Sequence, residues 1–92
     1  MDRIINPTED AKKLSALTCV DNHVKSDQAV GIGSGSTIVY AVQHLAAKIR
    51  EGKLKNVAFV PSSFQARQLI IENGLTLSSL ESFPILDVAI DG

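Results

Sequence analysis

The sequence predicts an α/β protein with an open, doubly wound, mostly parallel sheet and flanking helices, in a Rossmann-like arrangement. Short runs that are apolar throughout alternate with longer amphipathic stretches, which is typical of β-α-β units. Because the short runs carry no polar face, they indicate strands that are covered on both sides, as in a parallel sheet. A cluster of glycines separates the first strand from the next helix. These patterns predict that residues 1–92 belong to a single domain, without repeats or internal linkers.

Each predicted element has a local signal. In the first helix, Leu14, Leu17 and Val20 recur at helical spacing, and Val24 continues the same apolar stripe. Gly74 stands where the third helix should stop. The predicted helices cover residues 8–24, 36–50 and 64–73. The predicted strands cover residues 29–32, 57–60 and 86–90, and a further short strand can form within 75–80.

The last predicted strand ends at Asp91 and Gly92, where the sequence stops. A strand that ends in a polar residue and a glycine is normally followed by a further helix or strand. We therefore interpret residues 1–92 as the N-terminal part of a larger α/β domain, truncated after a strand.

Composition and charge exclude several classes of protein. Nine basic and ten acidic residues give a formal net charge of −1, which argues against binding nucleic acid or an anionic membrane by bulk charge. No apolar run approaches the roughly 18 residues of a membrane-spanning helix. The single cysteine, Cys19, excludes an internal disulfide framework and suits the reducing cytoplasm. Two scattered histidines beside it make no metal site, so we expect a cytoplasmic protein without a metal.

The loop at residues 31–37, GIGSGST, carries the strongest functional signal. Its three glycines allow a sharp turn and a close approach of the backbone to an anion. The loop leads into a helix N-terminus, where N–H groups and the helix dipole favour a phosphate, and Ser34, Ser36 and Thr37 add hydroxyl groups. The alternative is a tight turn whose serines only cap the helix. Three alternating glycines followed by two hydroxyl residues favour the phosphate site.

Two common nucleotide-binding patterns do not fit this loop. The dinucleotide fingerprint needs a glycine where Ser36 stands and an acidic residue at the end of the second strand, which instead ends in Val60, Pro61 and Ser62. The nucleoside-triphosphate loop needs a lysine before its final hydroxyl residue, and the loop contains none. A small phosphorylated metabolite is therefore the predicted ligand.

Asp91 is the second candidate site residue. It follows a predicted parallel strand, so it should lie at the same edge of the sheet as the glycine loop, where open α/β sheets bind their ligands. A carboxylate at this position can bind sugar hydroxyls or transfer protons. An ordinary turn aspartate before a glycine is the alternative interpretation.

Three segments of the chain closely resemble ribose-5-phosphate isomerase of the A type. They are residues 31–37 (GIGSGST), 61–70 (PSSFQARQLI) and 87–92 (DVAIDG). The resemblance covers the chain from the first helix onward, and the FQAR stretch is more similar to the eukaryotic branch than to the bacterial one.

This resemblance implies an aldose–ketose isomerase that interconverts ribose 5-phosphate and ribulose 5-phosphate through an enediol(ate), in the non-oxidative pentose phosphate pathway. It implies no metal and no organic cofactor, and a homo-oligomer in the full-length protein. The implied substrate-binding residues are Ser34, Gly35, Ser36, Thr37, Asp91 and Gly92. Asp91 would support catalysis, whereas the glutamate base and a lysine-glycine-glycine-glycine segment of the family would follow Gly92. We therefore expect the 92-residue chain alone to be inactive.

Two other functions remain open at this point. A related amino-sugar-phosphate isomerase or deaminase would share the general fold, and a phosphosugar-sensing effector domain of a transcription regulator would bind without chemistry. Among the remaining residues, we expect Ser62 or Ser63 to cap the third helix. Arg67 either stays solvated or helps to hold the substrate. His23 and His44 are expected on the surface.

Overall fold

The computed structural model describes residues 7–82 and 85–90, with side chains from residue 10 onward. Within this range the chain forms three helices and three strands, in the predicted order and close to the predicted bounds. They are α1 (Pro7–His23), β1 (Ala29–Ile32), α2 (Ser36–Arg50), β2 (Ala58–Pro61), α3 (Phe64–Glu72) and β3 (Val88–Ile90). Pro84, Asp91 and Gly92 lie outside the described residues.

The three strands form an open parallel sheet in the order β2-β1-β3. Ile32 is the register partner of both Pro61 and Ile90, so the three strands end at the same level. Leu77 adds a parallel bridge to Phe59 on the outer side of β2, where a short strand was expected. The predicted α/β class, with an open parallel sheet and flanking helices, is confirmed.

One apolar core joins all three helices to the sheet. Side chains on a strand alternate between faces, and Val30, Ile32 and Phe59 lie in this core with less than 1% of their surface exposed. The helices cover them with small and branched residues, namely Ala16, Val20, Ile38, Val42, Leu45, Ala66 and Ile70. In the described part of the chain, α1, α2 and α3 therefore pack on one side of the sheet.

The other face of the sheet is more open. Gly31 lies on this face, where Leu86 and Ala89 contact it. β1 is buried along its whole length, but in β3 Val88 is half-buried and Ala89 is exposed. The expectation that every strand is covered on both faces is therefore confirmed for β1 and wrong for β3. The difference arises because β1 is the central strand and β3 lies at the edge of the described sheet.

The apolar stripe of α1 differs from the predicted one at Leu14. Ala16, Val20 and Val24 are buried, as a four-residue spacing predicts, but 69% of Leu14 is exposed. At 3.6 residues per turn, Leu14 lies about a third of a turn from the centre of the buried stripe. Its assignment to the buried face was wrong, because Ala16 takes the buried position in the apolar core.

Polar contacts also join α1 to α2 at the surface. Asp21 accepts a hydrogen bond from Lys48 Nζ at 3.0 Å, and its Oδ1 lies 2.8 Å from His44 Nε2. The hydrogen bonds to His44 and Lys48 lower the pKa of Asp21 below its usual value. His44 therefore serves a contact between two helices on the surface, as expected of a non-catalytic histidine.

The close packing at Gly31 gives a prediction about stability. A Cβ atom at this position would lie 2.7 Å from Leu86 Cδ1, the end of a half-buried side chain that can shift, so we expect Gly31→Val to lower the free energy of unfolding by about 1 kcal/mol, the low end of the usual cost of overpacking. Leu86→Ala should relieve the clash. The double variant, compared by urea unfolding, should lose less stability than the sum of the two single variants. Additive losses would contradict the packing of Leu86 on β1.

Candidate functional site

The glycine loop lies at the carboxyl edge of the sheet, between neighbouring strands. Gly33 donates its backbone N–H to the carbonyl of Ile90 at 2.8 Å, which ties the loop to β3. On the other side, Ser62 donates both its backbone N–H (2.9 Å) and its hydroxyl (3.1 Å) to the carbonyl of Ile32. The base of the loop is thus held from both neighbouring strands, because the three strands end at the same level.

Gly35 sets the turn from the loop into α2. Its backbone angles are φ 114° and ψ 170°, a conformation that is strained for any residue with a Cβ atom. No side chain among the described residues caps the N-terminus of α2 at Gly35. The first N–H groups of a helix have no partner within the helix, so this helix end can donate to an anion.

Gln65 contacts the loop from the first turn of α3. Its Oε1 accepts a hydrogen bond from the Gly35 N–H at 3.0 Å, and its Nε2 donates to the Gly35 carbonyl at 3.2 Å. α3 itself begins with Ser63, whose hydroxyl accepts the N–H of Ala66 at 3.1 Å. The expectation that Ser62 or Ser63 caps this helix is therefore confirmed for Ser63.

Lys12 brings a positive charge to the start of α2. Its Nζ donates to the hydroxyl of Ser36 at 2.8 Å. The loop contains no lysine, as its sequence shows, but α1 packs against α2 and carries Lys12 to the loop across 24 positions of sequence. The sequence alone does not identify Lys12 as a residue of the loop. Its only sequence signal is a position on the helix that precedes the loop, which does not distinguish it from Lys13.

The four predicted loop residues come together at the helix N-terminus. Ser34, Gly35 and Ser36 are exposed and Thr37 is half-buried, so a ligand in solution can reach the loop. Asp91 and Gly92 lie outside the described residues. The last described residue of β3, Ile90, pairs with Ile32 at the end of β1.

Arg67 lies on an exposed part of α3, where its backbone N–H donates to the Ser63 carbonyl at 3.1 Å as part of the first helical turn. Its side chain borders a surface recess with Pro61 and Ser78. The exposed position of Arg67 agrees with the expectation that its side chain stays solvated.

Cavities occur at both ends of the sheet. At the amino ends of the strands, a recess of about 340 Å³ is bordered by Asp27, Asn56 and Asp87. At the carboxyl ends, a smaller recess of about 180 Å³ lies between Gly33 and Ser62. Ligands of open α/β sheets bind at the carboxyl ends, and the glycine loop lies there. We therefore assign the candidate site to the glycine loop at this edge. The smaller recess beside the loop lies on the open face of the sheet and is bordered mainly by apolar residues such as Leu80, Leu86 and Ala89.

The described residues contain no group of three histidine, cysteine, aspartate or glutamate side chains that could hold a metal ion. Within the described residues, no helix combines the length and the apolar character that a membrane span requires.

Known proteins match this chain over most of its length. A curated ribose-5-phosphate isomerase from Sus scrofa is 52% identical over 88 residues, which are 96% of the chain. The Homo sapiens enzyme of the same name matches with the same identity and coverage. The resemblance to ribose-5-phosphate isomerase of the A type is confirmed. The chain spans 28% of the length of each of these two curated isomerases. No family model matches the chain.

Solved isomerase structures share the fold. A D-ribose-5-phosphate isomerase in complex with phospho-erythronic acid is 34% identical and superposes with a TM-score of 0.87. The match covers 91% of this chain and 36% of that isomerase. The described sheet and helices therefore have the arrangement found in part of this enzyme.

The contact between Lys12 and Ser36 predicts a contribution to anion binding. We expect Lys12→Met to weaken binding of inorganic phosphate about two- to fivefold, since an exposed charge near a helix end contributes roughly 0.3–1 kcal/mol. The measurement is calorimetry on the complete protein, either the natural protein that contains residues 1–92 or a chimera. In the chimera, these residues replace the matching segment of the human isomerase.

Lys13→Met is the matched control, because it removes the same charge from the next, exposed position of α1. Equal losses in the two variants would show that net charge, and not the contact with Ser36, determines the affinity.

Proposed function

We propose that the protein containing this chain is a ribose-5-phosphate isomerase, which interconverts ribose 5-phosphate and ribulose 5-phosphate. The observation that carries the proposal is the 52% identity to curated isomerases over 88 residues, which includes the glycine loop. The relatives that match are isomerases, so they support this function over an amino-sugar-phosphate enzyme or a non-catalytic sensor domain.

The loop at the start of α2 is the proposed phosphate-binding element. The helix dipole and the N–H groups of Ser36 and Thr37 would stabilise the negative charge, and the two hydroxyl groups would donate further hydrogen bonds. Lys12, at 2.8 Å from the Ser36 hydroxyl, adds a cation beside them. A solved relative binds phospho-erythronic acid, a phosphorylated molecule, which supports a phosphorylated substrate for this site.

The proposed chemistry is a proton transfer between two adjacent carbons of the substrate. A base removes the proton from C2 of open-chain ribose 5-phosphate, and the electrons form an enediol(ate) as the C1 carbonyl oxygen gains negative charge. The proton then returns to C1, and the hydroxyl proton moves from O2 to O1, which leaves the ketone at C2. By the resemblance, the base is a glutamate beyond Gly92, and Asp91 and Gly92 contribute to substrate binding. Anchoring the phosphate holds C1 and C2 at the base, so binding energy from a non-reacting group serves the reaction.

The partner, cellular location and oligomeric state of the enzyme are also part of the proposal. A phosphosugar is its proposed partner, and a cytoplasmic location is supported by the single cysteine, Cys19, which suits a reducing compartment. A homo-oligomer is proposed for the full-length protein on the resemblance alone.

The loop can be tested with Thr37→Val, which keeps the shape of the side chain and removes its hydroxyl. We expect the dissociation constant for ribose 5-phosphate to rise about tenfold or more, because a hydrogen bond to a charged group is lost. Calorimetry on the complete enzyme measures it, and Thr18→Val, at an exposed position of α1, is the control. An unchanged dissociation constant would remove Thr37 from the site.

Turnover tests the catalytic part of the proposal. We expect ribulose 5-phosphate to form with the complete enzyme and not with the 92-residue chain, because a positioned general base supplies about 10²–10⁴-fold. In the complete enzyme, Asp91→Asn should lower kcat more than it raises KM, whereas Asp10→Asn on the surface of α1 should change neither. Turnover by the 92-residue chain near the complete enzyme's rate would refute a base beyond Gly92.

A further inference from the structure

The contact between Gln65 and Gly35 goes beyond the residues that the resemblance assigns to the site. We propose that Gln65 is a positioning residue, which sets the direction of the peptide groups that bind the substrate phosphate. The inference rests on the proposed phosphate-binding function of the loop. Gln65 is exposed and contacts the loop through its carboxamide, so it has no part in the apolar core.

Two hydrogen bonds from one carboxamide fix two consecutive peptide groups. The Gly35 N–H belongs to the peptide group that joins it to Ser34, and the Gly35 carbonyl belongs to the one that joins it to Ser36. Gln65 accepts from the first at 3.0 Å and donates to the second at 3.2 Å. Because each peptide group is planar, a bond to one of its atoms sets the direction of the whole group.

The second bond determines where the Ser36 N–H points. In a trans peptide the carbonyl and the following N–H point in opposite directions. When Gln65 holds the Gly35 carbonyl, the Ser36 N–H at the start of α2 is directed away from Gln65. A flip of this peptide group would place a carbonyl oxygen where a donor is needed, and it would repel a phosphate.

Gly35 needs such support because of its own flexibility. Its φ of 114° is accessible to glycine, and glycine also reaches many other conformations at low cost. A loop that moved among them would lose entropy on binding an anion. The Gln65 contact removes that freedom before the substrate arrives. It also occupies the Gly35 N–H, so Gly35 contributes conformation and not a donor to the phosphate.

The test compares Gln65→Met and Gln65→Glu in the complete enzyme. The methionine side chain has nearly the length of glutamine but forms neither hydrogen bond with Gly35. The glutamate side chain can accept from the Gly35 N–H, but it cannot donate to the Gly35 carbonyl. We expect KM for ribose 5-phosphate and the inhibition constant of inorganic phosphate to rise about tenfold in Gln65→Met. The rise should be larger in Gln65→Glu, which adds a negative charge beside the site. In both variants kcat should fall by a smaller factor than KM rises, because only part of the anchoring energy serves the reaction.

Gln68→Met and Gln68→Glu are the matched controls, because Gln68 is an exposed glutamine on the same helix. They should leave both constants unchanged. A Gln65 variant with unchanged KM and unchanged phosphate inhibition would overturn the proposal, and so would a fall in kcat at constant KM. If Gln65→Met fails to fold, Gln65→Ala takes its place, because it also removes both hydrogen bonds without adding a charge.

The two proposals can fail separately. If the wild-type complete enzyme shows no turnover of ribose 5-phosphate, the proposed isomerase function fails. Calorimetry with inorganic phosphate then still tests Gln65, since equal affinities of the wild type and Gln65→Met would refute its positioning role.

Discussion

The parallel register of β1 with its two neighbours is the constraint on which the site depends. Ile32 pairs with Pro61 on one side and with Ile90 on the other, so the three described strands end at one level. Only this alignment lets Ser62 reach the Ile32 carbonyl and Gly33 reach the Ile90 carbonyl. A shift of one residue would also turn Val30 and Ile32 away from the helices, so packing and site geometry require the same register.

Local patterns in the sequence predict the elements around this register well. β1 and α2 have the predicted bounds, because a continuous apolar run and a glycine turn are local features. β3 is shorter than predicted and half-exposed. Leu14 is exposed although its spacing fits a buried stripe. Burial depends on which elements meet, and an apolar side chain does not carry that information alone.

The polar contacts of the loop were harder to predict than the loop itself. Glycines beside hydroxyl residues mark residues 31–37 directly. Lys12 and Gln65 reach the loop from separate helices, 24 and 30 positions away in sequence, and neither side chain differs from other exposed residues in its own segment. Their roles follow from the packing of α1 and α3 around α2, which only the three-dimensional structure reveals.

Support from distant elements has a consequence for the dynamics of the loop. Exposed glycine-rich loops usually open locally, at a free energy far below that of global unfolding. Here the Gly33 amide is bonded to the backbone of β3, so opening it requires the ends of two strands to separate, whereas the Gly35 amide is bonded to the exposed Gln65 side chain and opens when that side chain rotates. Hydrogen exchange should therefore be slow at Gly33 and faster at Gly35, so the base of the loop should keep its shape until the domain melts.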